Sequence, residues 1–217
     1  MRFDKNSLLL YLVSDRHWLE GRRLADDLEA AIKGGVTFVQ LREKDDMAMD
    51  HDDFLKEALE IKELCARYEI PFVIDDDVDL ALECGADGVH VGQSDMEAGS
   101  VREKIGPDRI LGVSAETVEE AILAEKRGAD YLGVGAVFPT GSKDDALDVS
   151  HETLKEICRA VSIPVIAIGG ISRDNVCELS GSGIVGIAVI SAILAQKHIE
   201  EAAEDLLVKT KEALIEA

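Results

Sequence analysis

The sequence predicts an α/β fold, a single-domain (β/α)8 TIM barrel spanning residues 1–217. Three observations carry that expectation: eight short β-rich runs, apolar helical patterns in the gaps between them, and a weak internal repeat that joins one unit to the next.

The runs are Leu8–Ser14, Phe38–Leu41, Phe72–Ile74, Gly88–Val91, Ile110–Ser114, Tyr131–Val134, Val165–Ile168 and Gly186–Ile190. Most are apolar throughout, as strands covered on both faces must be. In the gaps, Leu24, Leu28, Ala31 and Ile32 share one helix face, and Phe54, Ala58, Ile61, Cys65 and Tyr68 recur at spacings of four, three, four and three. Ala203, Leu206, Leu207 and Thr210 form a stripe near the end. Thr117 with Glu120, and Ser94 with Glu97, read as capping boxes. Asp77 is placed to cap a helix beginning near Val78.

CGADGVHVG (84–92) and RGADYLGVG (127–135) share the pattern G-A-D-x-x-x-V-G, and KGGVTFVQL (33–41) and SGSGIVGIA (180–188) follow it loosely. In each, a glycine is expected to end a helix in the left-handed region just before a strand. Eight units average about 27 residues, compact but feasible for a barrel. A doubly wound sheet would more often carry GxGxxG after its first strand, where Ser14-Asp15-Arg16-His17 stands instead.

Composition limits the function. With 47% hydrophobic and 31% charged residues, the chain is of the soluble globular kind. The run from Leu8 to Val13 is too short for a signal-peptide core, and no run reaches the roughly 20 residues of a membrane span, so a cytoplasmic protein is expected. A net charge of −21 disfavours nucleic acid and anionic membranes as partners. Cys65, Cys84, Cys158 and Cys177 form no CxxC pair or Cys/His cluster, so neither zinc nor disulfides are expected, and small buried helix residues are.

In a barrel the site forms at the C-terminal ends of the strands. There the sequence places QLREK (40–44), Asp75-Asp76-Asp77, GQSD (92–95), Ser114, FPTGSK (138–143), Gly169-Gly170 and Ile190-Ser191. Arg42, Lys44 and Lys143 are cations suited to phosphate oxygens. Asp76 and Asp95 follow neighbouring strands about 4.8 Å apart. Together they suit one Mg2+, which takes one or two carboxylates plus waters and substrate phosphate oxygens. Gly169-Gly170 with Ile190-Ser191 matches a backbone phosphate site at a short helix start. The expectation is two anion sites for two small phosphorylated substrates, one of them a diphosphate. His90, between Val89 and Val91, reads as a satisfied interior residue rather than a general base.

YLVSDR, QLREK, the acidic turn before VDLAL, GADGVHVGQSD, GVSAET, GADYLGVGAVFPTGSK, IPVIAIGGI and AVISAI follow one another here. From about residue 10 to 194 the chain resembles the thiamine-phosphate synthase family. The resemblance implies a (β/α)8 barrel that joins 4-amino-2-methyl-5-hydroxymethylpyrimidine diphosphate to 4-methyl-5-(2-phosphoethyl)thiazole with Mg2+, by a dissociative substitution. It implies that Gln40, Arg42 and Lys44 bind the pyrimidine diphosphate, that Asp76 and Asp95 hold the metal, and that Ser114 lies by the pyrimidine. Thr140 and Ser142 then contact the thiazole phosphate and Lys143 the diphosphate, while Gly170, Ile190 and Ser191 complete the thiazole-phosphate site. Arg42, Lys44, Lys143 and Ser114 would carry the catalysis.

Three departures from the family stand out. Asp75, counted among the substrate-binding residues, stands where the family usually has Asn; an anion there weakens diphosphate binding unless it is protonated or pairs with a cation. Ser142 replaces a Thr. DDALDVSHET follows Lys143 in place of the usual Pro/Gly-containing turn. The rival readings are a thiazole tautomerase-like isomerase, another phosphate-binding barrel isomerase or aldolase, and a silent binder of thiamine precursors. The first needs no diphosphate apparatus, and the second would want an acid–base pair on the strands.

Overall fold

The structure is a computed structural model that describes residues 4–43, 49–140 and 149–215. Its eight strands are β1 Leu10–Val13, β2 Phe38–Leu41, β3 Phe72–Asp75, β4 Gly88–Val91, β5 Ile110–Ala115, β6 Tyr131–Val134, β7 Val165–Ile168 and β8 Gly186–Val189. They pair in parallel in sequence order, and β8 closes on β1 through Leu10 opposite Ile187 and Leu12 opposite Val189. A closed parallel sheet leaves no open edge, and all four residues of β1, β2, β4, β6 and β8 are buried.

The helices are α1 Leu24–Lys33, α2 His51–Arg67, α3 Val78–Cys84, α4 Ala98–Ile105, α5 Val118–Lys126, α6 His151–Ala160, α7 Ser191–Leu194 and α8 Ile199–Ile215. The stripes expected on α1 and α2 are buried: Leu24, Leu28, Ala31 and Ile32 on one, Phe54, Ala58, Ile61 and Cys65 on the other. Tyr68 is the residue that caps α2 rather than part of it. On α8, Ala203, Leu206 and Thr210 are buried and the Thr210 hydroxyl donates to the Leu206 carbonyl at 2.8 Å. Thr117 and Glu120 make the expected capping box, and Asp77 accepts from the Leu80 N–H at 2.9 Å to cap α3.

Several expectations need correction. Leu8 lies in a 3-10 turn, Lys5–Leu8, because Asp4 caps that turn by accepting from the Asn6 N–H; β1 therefore starts at Leu10. Ser94 does not cap α4: Glu97 does, accepting from the Gly99 and Ser100 N–H groups at 2.9 and 3.0 Å. The seventh unit has a 3-10 turn, Val176–Leu179, where an α-helix was expected. The glycines of the repeat do take positive φ (Gly35 +103°, Gly85 +66°, Gly128 +90°, Gly183 +93°). Cys65 and Cys84 are buried and Cys158 half-buried, but Cys177, on the 3-10 turn, is exposed.

Candidate active site

Among the described residues, the C-terminal strand ends gather expected polar residues on one face. Gln40 closes its side chain inside β2, and Arg42 follows the strand with its side chain only 7% exposed. The backbone of Arg42 is pinned by Ser14, whose Oγ accepts the Arg42 N–H at 2.9 Å. Its guanidinium is held from two sides: Nη1 lies 3.2 Å from Asp15 Oδ2, and Nε lies 3.8 Å from Asp75 Oδ2. Asp75 therefore pairs with a cation, which is the condition under which an anion at this position is compatible with a neighbouring diphosphate.

Asp15 went unmarked in the sequence, as did the layer beneath it. Arg16 donates to both carboxylate oxygens of Glu43 at 2.7 and 2.8 Å and also pairs with Glu57. Glu43 in turn accepts the Met49 N–H at 2.9 Å. Burial pushes the Glu57 carboxyl up even though Arg16 pulls it down. This cluster ties the start of α2 to the loop after β1, on either side of QLREK. Lys44, within that segment, lies outside the described residues, as do Ser142 and Lys143.

Asp76 follows β3 at a φ of +58°, the left-handed region that few residues besides Gly, Asn and Asp adopt. Its N–H donates to the His90 carbonyl at 2.8 Å, which fixes it beside the top of β4. Asp95 sits in the turn after β4 and accepts the Gly92 N–H at 2.8 Å. The donor set is hard oxygen from two adjacent strands. Among the described residues no group of three or more His, Cys, Asp and Glu is placed to hold a metal unaided. Two hard-oxygen donors fit a cation that completes its shell with water and phosphate oxygens.

Ser114, in β5, accepts or donates to His90 Nε2 at 3.0 Å, and His90 Nδ1 meets the Tyr131 hydroxyl at 3.0 Å. Tyr131 meets the Tyr11 hydroxyl at 2.8 Å, and Gln40 Nε2 donates to Tyr11 at 3.0 Å. β1 and β6 are not neighbours, nor are β4 and β6, so these contacts cross the barrel interior. Burial raises both phenols well above their ordinary range, so both remain protonated. The expectation that His90 is a satisfied interior residue holds, but its partner on one side is a candidate substrate residue.

At the opposite side of the mouth, Gly169 and Gly170 follow β7 at φ +97° and +63°, a turn that a residue with a side chain enters only with strain. Asn175 fastens this turn, donating from Nδ2 to the Gly170 carbonyl at 2.9 Å and accepting the Ser172 N–H at 2.8 Å. Ile190 leads directly from β8 into the single turn of α7, which begins at Ser191. Thr140 is half-buried in the loop after β6.

A closed parallel barrel with polar side chains converging on its C-terminal face defines the class: a (β/α)8-barrel enzyme. Residues 10–193 match the family described as thiamine monophosphate synthase, and the chain belongs to that family. It is 53% identical over 204 residues to the thiamine-phosphate synthase of Ruminiclostridium cellulolyticum, covering 94% of this chain and 96% of that protein. It is 53% identical over 197 residues to that of Clostridium tetani, covering 91% and 93%. The solved thiamine phosphate pyrophosphorylase from Pyrococcus furiosus superposes with a TM-score of 0.88 at 39% identity, over 97% of this chain and 98% of that one.

Proposed function

We propose that the protein is a thiamine-phosphate synthase, a transferase that joins 4-amino-2-methyl-5-hydroxymethylpyrimidine diphosphate to 4-methyl-5-(2-phosphoethyl)thiazole, giving thiamine phosphate and diphosphate. The observation that carries the reading is the run of four neighbouring strands, β2 to β5, that end in Gln40 and Arg42, Asp75 and Asp76, Asp95, and Ser114.

The chemistry needs no protein nucleophile. The bond from the pyrimidine methylene carbon to the diphosphate oxygen breaks with its electron pair leaving on oxygen. The thiazole nitrogen then supplies the pair that forms the new C–N bond. Asp76 and Asp95 would hold Mg2+, which when bound would supply positive charge to the leaving group. Arg42 donates to the same group from a guanidinium already oriented by Asp15 and Asp75, and such preorganised charge costs little reorganisation during the reaction. Lys44 and Lys143 add ammonium charge there. Gln40 and Ser114 bind the pyrimidine. Thr140, Ser142, Gly170, Ile190 and Ser191 hold the thiazole phosphate, so that its ring nitrogen faces the methylene carbon. Four free cysteines and the absence, among the described residues, of a helix long and apolar enough to cross a membrane support a cytoplasmic site of action.

The experiment mixes the protein with both substrates and Mg2+ and follows both products. Thiamine phosphate and diphosphate appearing one to one, and lost on adding EDTA, is the expected result. Binding of the thiazole phosphate without turnover would overturn the reading in favour of an isomerase or a silent binder.

A further inference from the structure

Five side chains from five strands form one hydrogen-bonded line across the barrel: Gln40, Tyr11, Tyr131, His90 and Ser114. Counting protons along it gives the line a direction. Gln40 Nε2 can only donate, so the Tyr11 oxygen accepts there. Among the described residues the buried Tyr11 hydroxyl meets one other polar group, Tyr131, so its single proton goes to the Tyr131 oxygen. With a lone pair taken by Tyr11, the Tyr131 hydroxyl is placed to donate to His90 Nδ1 at 3.0 Å. A neutral imidazole that accepts at Nδ1 carries its proton on Nε2, which then donates to Ser114 Oγ.

The barrel makes room for this line. Gly112 pairs with His90 on β4 and with Tyr131 on β6. A Cβ at Gly112 would collide with the Tyr131 ring and hydroxyl and with His90 Nδ1, so the missing side chain is what lets the two rings meet, with centroids 5.6 Å apart. Gly133, opposite Ser114 on β6, leaves space beside the other edge of the His90 ring.

We infer that His90 is a positioning residue, held as the Nε2–H tautomer by Tyr131 and Tyr11, whose task is to occupy one lone pair of Ser114 so that the serine hydroxyl donates outward to a ring nitrogen of the bound pyrimidine. The same polarity engages the Gln40 N–H on Tyr11 and leaves the Gln40 carbonyl as an acceptor, suited to an exocyclic amine. The line thus presents a donor at one end and an acceptor at the other, the complements of the ring nitrogen and the exocyclic amine of an aminopyrimidine. It also divides the work: an acceptor on the amine helps the ring release electrons toward the methylene carbon, whereas Ser114 fixes the orientation of the ring. This inference rests on the reading of Gln40 and Ser114 as pyrimidine contacts.

Two measurements test it. In the ligand-free protein, side-chain 15N NMR should show His90 with its proton on Nε2, and Tyr131→Phe should convert it to a mixture of tautomers. A proton on Nδ1 in the unmodified protein would overturn the assigned direction, whatever the substrate contacts prove to be. In steady-state kinetics, Tyr131→Phe should lower kcat/KM for the pyrimidine diphosphate about tenfold while leaving KM for the thiazole phosphate unchanged. The same change made in Ser114→Ala should cost nothing further. Equal losses in both backgrounds would reduce the line to a structural role. His90→Gln, whose amide can still donate to Ser114, should retain more activity than His90→Leu at equal melting temperature; equal activities would contradict the proposal. A silent Ser114→Ala variant would overturn the reading of Ser114 as a substrate contact and the inference with it, while the NMR result would still report on the line itself.

Discussion

Arg42 and Asp75 form an ion pair in the mouth of the barrel, Nε to Oδ2 3.8 Å, with side chains 7% and 10% exposed. Asp15 completes the clamp at 3.2 Å from Nη1. The hydrogen bond to Asp15 orients the guanidinium, and the two carboxylates offset part of the charge it can offer to a diphosphate. Asp75→Asn should release that charge while Asp15 still holds the side chain. The expected result is an unchanged or lower KM for the pyrimidine diphosphate with kcat kept; a large loss of kcat would give Asp75 a role of its own in the reaction.

Arg42→Ala has the opposite consequence. It removes the cation that Asp15 and Asp75 share, in side chains 12% and 10% exposed, and removing one partner of a buried pair costs about 3–5 kcal/mol. Urea unfolding should show a loss of that order. Adding Asp75→Asn to Arg42→Ala should recover part of it, because one of the two negative charges around the lost cation is then gone.

The barrel was legible because its strands are buried on both faces and are therefore apolar enough to stand out, and because glycines mark the passage from helix to strand. The first strand was misjudged at its start because Leu8 and Leu9 are as apolar as the strand itself, and only the Asp4 cap shows that the chain is still turning. Ser94 misled because it stands three residues before Glu97, the capping-box spacing, although the helix begins after Glu97. Of the site, the residues beside strand ends could be read from position. The line through Tyr11 and Tyr131 could not, since it joins residues 120 apart in sequence. The signal was present all the same: a tyrosine in each of two otherwise aliphatic strands needs a partner for its hydroxyl inside the barrel. The acidic layer of Asp15, Glu43 and Glu57 around two arginines was hidden by its ordinary surface composition.

Gly112→Ala should destabilise the barrel by about 1–3 kcal/mol, the usual cost of overpacking, because the new methyl group meets Tyr131 and His90. Thermal or urea unfolding measures it. Unchanged stability would mean that the two rings have slack that the packing does not show.

The cysteines should differ sharply in reactivity. Burial pushes the Cys65 thiol up to about 12 and Cys158 up to about 11, so at pH 8 only about one in ten thousand of the first and one in a thousand of the second is thiolate. Cys84 is raised for the same reason. A thiol reagent should find one fast site in the native protein, at exposed Cys177, lost in Cys177→Ser, and all four sites after unfolding. Several fast sites in the native protein would contradict the burial.

Acid should weaken the cap of α4. The Gly99 and Ser100 N–H groups, with Arg127 beside them, hold the Glu97 carboxyl below the usual range. A carboxylate with a lowered folded pKa stabilises above its unfolded pKa, and that contribution disappears as pH falls through the folded value. Glu97→Ala should therefore lower the melting temperature at neutral pH and make little difference in strong acid. An equal difference at both ends of the pH range would place the effect in packing instead of charge.

In the proposed enzyme a metal-assisted diphosphate site and a separate phosphate site share one barrel mouth. Calorimetric titration of inorganic diphosphate, with and without Mg2+, tests it most directly, using the unaltered protein beside Asp76→Ala and Asp95→Ala. The expected result is tight binding that needs Mg2+ and is lost in both variants, while thiazole phosphate still binds all three proteins. Diphosphate binding that is indifferent to Mg2+ and survives in both variants would contradict it.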